Sequence, residues 1–91
     1  MDQEQFAARV QAEGYGIVTR EVEPGFALPE HHHDWDAKGL VLGGSFTIGY
    51  GGESRTYAVG EVFALAKGTP HTESAGPEGA RLVVARRPFS G

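Results

Sequence analysis

The first dozen residues and the rest of the chain carry different hydrophobic patterns. In residues 2–13 the apolar positions Phe6 and Val10 recur one helical turn apart among Ala, Gln and Glu. Asp2 stands where an N-cap belongs, and Gly14 and Gly16 follow the segment, so the pattern predicts a short helix. Isolated helices of this length are marginal in water, so Phe6 and Val10 must dock on something.

From Tyr15 onward the period changes to that of strands, with turn residues between them. Tyr15–Val22 is rich in β-branched residues and ends at Glu23-Pro24-Gly25. Further strands are expected at 26–33, 39–42, 45–50, 53–57, 62–66, 71–74 and 80–87. Gly43-Gly44 is read as a break and Gly51-Gly52 as a hairpin turn. About eight short strands with turns roughly every 8–12 residues point to an all-β sandwich or barrel. The expected organisation is an N-terminal helix over 1–14 and one β-domain over 15–91. Val41, Phe46, Ile48, Tyr50, Val62, Phe63 and Leu65 are expected to pack in the core or across a dimer contact.

Length and charge narrow the function classes. Ninety-one residues suffice for one domain, and a domain of this size buries only about 60% of its unfolded surface. A bound ion or a second subunit would add to so thin a core. The formal net charge is -4, and the largest basic cluster is Arg86-Arg87, so nucleic acid is not an expected partner. That arginine pair is read as a solvated face. With no cysteine, disulfides and thiolate metal sites are excluded. The polar start and the lack of a long apolar run predict no membrane association, and the expected location is the cytoplasm.

The chemistry concentrates in four histidines, His31, His32, His33 and His71. Alternate side chains of a strand share a face, so His31 and His33 point one way and His32 the other. Imidazole suits borderline divalent metals. Two such ligands on one strand need a third from elsewhere, and His71 is the only histidine left. By spacing alone, the triple histidine is equally a solvated loop.

The spacing around these residues resembles the two motifs of the cupin family. Gly25, five residues, His31-His32-His33, three residues, Ala37, six residues and Gly44 follow the first. Gly60, five residues, Ala66-Lys67-Gly68, two residues, His71, three residues and Ala75 follow the second. The resemblance implies a small cupin-type β-barrel (jelly-roll) with inward histidines. It implies a divalent metal ion (Fe, Zn, Ni or Mn) held by His31, His33 and His71, with a small oxygen-rich molecule as its partner. It also suggests a homodimer. The family's glutamate ligand is replaced by Ala37, its second-motif proline by Ala66 and its asparagine by Ala75. Loss of the glutamate leaves the ion's charge less compensated and opens space beside it. Asp36, next to Ala37, is a candidate replacement ligand if the strand bulges there, or a partner to a ligand histidine, and Asp34 and Asp36 read equally as a solvated loop. Trp35 either walls a pocket or covers the barrel end. Three functions fit: a metal-binding ligand carrier, a metal-dependent dioxygenase or isomerase, and a non-catalytic sensing module.

Overall fold

The structure is a computed structural model and describes residues 1–88. The last three residues of the expected β-domain, 89–91, lie outside the described residues. Helix α1 spans Gln3–Ala12 and begins with a reciprocal capping box. The Asp2 carboxylate accepts from the Gln5 backbone N–H, and the Gln5 side chain accepts from the Asp2 N–H. These contacts satisfy two of the donors that a helix start leaves free.

Six strands follow: β1 (Gly16–Val22), β2 (Ala27–His31), β3 (Asp36–Tyr50), β4 (Glu53–Ala58), β5 (Val62–Leu65) and β6 (His71–Arg87). The expected eight become six because two pairs fuse. Segments 39–42 and 45–50 form one strand, as do 71–74 and 80–87. Glycines that read as breaks in sequence act here as bulges. The β3–β6 ladder shifts register between Val41 and Gly43, and again between Gly44 and Phe46. Gly44 has φ +66°, and a Cβ there would lie 2.0 Å from the Gly79 carbonyl oxygen. Only glycine allows the two backbones to come this close in that conformation.

The bulges divide each long strand into two working halves. The C-terminal half of β6 pairs with β1 and with the N-terminal half of β3, which also pairs with β5. The N-terminal half of β6 pairs with β2 and with the C-terminal half of β3, which also pairs with β4. The result is two four-stranded faces sharing β3 and β6, the jelly-roll expected from the resemblance. Among the described residues β1, β2, β4 and β5 each have a single partner strand, so the ladder does not close into a ring. No helix among the described residues is long and apolar enough to cross a membrane.

Both faces of the central strands are buried, which explains their continuous apolar runs. Inside the jelly-roll, Val41, Phe46, Ile48, Phe63, Leu65 and Leu82 pack together. On the outer face, Phe6 and Val10 of α1 pack with Tyr15, Leu40, Val83 and Ala85. The helix therefore docks as its apolar spacing requires. Two expected packing residues are not core. Tyr50 lies at the β3–β4 hairpin end and Val62 alternates outward from Phe63, and both are exposed. Gly39 is fixed by packing, since a Cβ there would meet the Phe63 ring at 2.0 Å.

Phe6 is 1% exposed. Its replacement by Ala should cost about 3–5 kcal/mol. That is a large share of what a small domain holds, and a urea titration will show it as a lowered midpoint. A midpoint unchanged from wild type would mean that α1 does not dock as described.

Candidate metal centre

The site forms where β2 meets the start of β6. His31 sits opposite His71 in the antiparallel register. The pairing passes from Leu28–Glu73 to His31–His71, so β2 carries one residue more than β6 across this interval. This bulge, at Pro29-Glu30, directs His31 toward the interior. A proline is tolerated there because a bulge frees it from donating to the ladder. His33 lies just past the end of β2, on the same side as His31, while His32 is exposed. The face-sharing expectation for His31 and His33 therefore holds, although only His31 lies within the strand. The three rings cluster, with centroids 4.5 Å apart for His31–His71, 4.9 Å for His31–His33 and 5.1 Å for His33–His71.

The fourth member is Glu73, which the sequence reading passed over. It lies two residues beyond His71 on β6, so strand alternation places both side chains on the same face. The rule that paired His31 with His33 would have found it. Both residues are buried, at 1% and 6% exposure. Glu73 Oε2 lies 2.9 Å from His31 Nε2, 3.0 Å from His71 Nε2 and 3.5 Å from His33 Nε2. Its other oxygen is 3.3 Å from Arg20 Nη1.

Hydrogen bonds on the far side of two rings fix their orientation. His31 Nδ1 lies 2.8 Å from the Pro29 carbonyl oxygen, and His71 Nδ1 lies 2.8 Å from that of Thr69. A carbonyl only accepts, so each Nδ1 carries a proton, and in the neutral ring the Nε2 lone pair faces inward. Two such lone pairs then face a carboxylate oxygen at hydrogen-bonding distance. The cluster is self-repelling unless a cation occupies its centre, either protons on the rings or a metal ion. A divalent ion at about 2.0–2.1 Å from each donor separates neighbouring donors by roughly 2.9–3.4 Å. The three Glu73–histidine contacts, 2.9–3.5 Å, lie close to that spacing, and a group of three imidazoles and a carboxylate could hold a divalent metal.

Electrostatics favour the ligand forms. Burial alone would raise the Glu73 carboxyl. Where protons on the facing rings are the balancing cation, hydrogen bonds from His71 and His31, with the Arg20 charge, outweigh it, so the group lies below its ordinary value and is an anion at neutral pH. Burial pushes His33 below the usual imidazole value against the opposing pull of Glu73, which keeps the ring neutral.

The remaining candidates separate clearly. Asp36 does not replace the missing glutamate. Its carboxylate accepts from the Lys67 backbone N–H at 2.9 Å and from Arg87 at 3.2 Å, away from the histidines. It closes the structure between β3, the loop after β5 and the end of β6. Ala37 is buried and lines a cavity of about 50 Å³ beside His33 and Glu73. The small side chain does open space there, while the negative charge comes from another strand. Trp35 is both packing residue and wall. It rests on the interior core, lines the cavity and stacks on His33 at 4.7 Å. Arg86 was expected on a solvated face, but it also lines the cavity. Arg87 is exposed and donates to Asp36 and to the Glu13 carbonyl.

This geometry agrees with comparison to known proteins. The family model of the cupin domain matches residues 18–86, and the chain belongs to the cupin family. No curated protein matches it. Among solved structures, it is similar to a protein of unknown function from Rhizobium leguminosarum, at 26% identity and TM-score 0.74, covering 79% of this chain and 68% of that one. It is similar to a cupin-2 domain protein from Shewanella frigidimarina, at 25% identity and TM-score 0.68, covering 79% and 69%. It is also similar to the polyketide cyclase RemF from Streptomyces resistomycificus, at 32% identity and TM-score 0.67, covering 79% of this chain and 54% of RemF.

Asp36 yields a pH prediction. The Lys67 N–H and the Arg87 guanidinium hold its carboxyl below the ordinary value, about 3.9 in an unfolded chain. Its contribution is therefore present above about pH 3.9 and is lost as the pH falls through the lower folded value. The melting temperature of Asp36→Asn should lie below that of wild type at neutral pH, and the gap should narrow as the pH falls below about 3.9. A gap that stays constant with pH would remove the carboxylate from this role.

Proposed function

We propose that this protein is a metal-binding cupin that holds one divalent ion through Nε2 of His31, His33 and His71. The Glu73 carboxylate is the fourth, anionic donor, and a small oxygen-rich molecule binds beside the ion. One observation carries the reading: four donor atoms from these residues lie within 4.8 Å of one another, and backbone carbonyls hold two of the imidazole lone pairs inward. Three imidazoles and one carboxylate suit Fe, Zn, Ni or Mn. Such an ion supplies Lewis acidity toward an oxygen of the bound molecule. Arg20 holds the Glu73 carboxylate, and Trp35 braces the His33 ring.

A catalytic reading draws support from the similarity to RemF, named as a polyketide cyclase. The chain spans about half of that protein, so a cyclase, dioxygenase or isomerase activity stands as a second proposal. Turnover by the metal-loaded protein of oxygen-rich aromatic or diketone compounds would test it. Pairing of two copies through the single-partner strands completes the reading. Light scattering should then give twice the chain mass.

Metal analysis of purified protein decides the main proposal. Wild type should carry close to one ion per chain. His71→Ala should lose it, and Glu73→Gln should bind at least about tenfold more weakly. Ligand histidines must be unprotonated, so apparent affinity should fall as the pH drops below about 6.5. Metal should raise the melting temperature of wild type and not of His71→Ala. Equal metal content in wild type and His71→Ala would overturn the assignment.

A further inference from the structure

The cavity beside the metal centre holds a positive charge that the centre does not use. Its walls include two guanidinium groups, Arg20 and Arg86. The charge of Arg20 is met by Glu73 at 3.3 Å. Arg86 forms no ion pair with any described residue, and its Nε is buried without a hydrogen-bond partner. A buried N–H donor without an acceptor is rare in folded proteins and calls for an explanation.

The position of Arg86 is set by the fold. It follows Leu82 and Val84 at alternate positions of β6, on the interior row, and all three line the cavity. Its guanidinium carbon lies 4.8 Å from the centre of the Trp35 ring, a cation–π contact that holds the charge in place. Trp35 in turn stacks on His33. One aromatic ring thus joins the unpaired guanidinium to a ligand histidine. The lining beside Arg86 includes apolar Ala37, its ladder partner on β3, together with Phe46 and Phe63. With a divalent ion bound, the ion and two guanidinium groups face a single carboxylate. The site then holds three excess positive charges and calls for an anion.

We propose that the cavity takes a small organic carboxylate. Its oxygens accept from Arg86, and its short carbon stem rests against Ala37, Phe46 and Phe63. This names the ligand class within the reading above and rests on that reading. A volume of about 50 Å³ admits a carboxylate head with a carbon or two, since a single water needs roughly 10–15 Å³. Guanidinium suits this head because it can donate two parallel hydrogen bonds to it.

Trp35 is the only tryptophan of the chain, so its fluorescence reports occupancy. Glycolate and its uncharged counterpart glycolamide are the probes, titrated into zinc-loaded and metal-free protein, with zinc content measured in each variant. Wild type should respond saturably to glycolate and at least tenfold more weakly to glycolamide. Arg86→Met should weaken glycolate at least tenfold in both metal states while keeping wild-type zinc content, and Arg86→Lys should recover part of the loss. Equal responses to the two probes in wild type would overturn the proposal, as would no response to either. A glycolate response that needs zinc and ignores Arg86→Met would assign the anion to the ion alone, and would also overturn it. Should wild type hold no zinc, the metal reading fails by itself and the metal-free titrations still decide the role of Arg86. Should Arg86→Met not fold, Arg86→Lys and the two-probe comparison decide it.

Discussion

The fold depends on the pairing of two long strands that bend together. β3 and β6 form the longest ladder, and their register shifts where Gly44 meets the Gly79 carbonyl. An unbent ladder of fifteen residues or more would leave one flat sheet with polar ends. The bend lets each strand serve two faces, and the space between the faces becomes the interior. His71 and Glu73 enter that space from the first half of β6, and Leu82, Val84 and Arg86 enter from the second. One crossing thus places the histidine–glutamate cluster and the Arg86 guanidinium beside a single cavity.

The donor set shows how a charge can be kept while its position changes. The first cupin motif places a glutamate where this chain has Ala37. The structure supplies a carboxylate from Glu73, on a different strand, against the same histidines. The exchange also moves the empty volume. A methyl group at position 37 borders the cavity from β3, while Glu73 lines it from β6 and is tied back by Arg20. Charge at the centre and room beside it then no longer compete for one position.

Much of this was legible in the sequence, and the parts that were not have identifiable causes. The helix was readable because its cap and its two buried residues lie close together in the chain. The three histidines were readable because alternation and the motif spacings agree on them. Glu73 stands outside both motif spacings, which place the carboxylate at position 37, although strand alternation from His71 reaches it directly. The strand count came out too high because a glycine pair looks the same in sequence whether it turns a chain or bulges a ladder. Which of these occurs depends on a partner strand some thirty-five residues away, Gly79 for Gly44. Arg86 was read with Arg87 as one surface pair. In a strand, adjacent residues face opposite ways, and only one of the two can be at the surface.

The docking of α1 has a mechanical consequence. Leu82 belongs to the interior and Val83 to the layer under the helix, and they are consecutive residues of one strand. Leu40 and Val41 divide in the same way on β3. A single thickness of backbone thus separates the helix seat from the cavity. Closely packed interiors transmit displacement rather than absorb it, so repacking beneath Phe6 would shift the chamber wall. The seat of the N-terminal helix and the wall of the cavity are thus opposite sides of the same two strands.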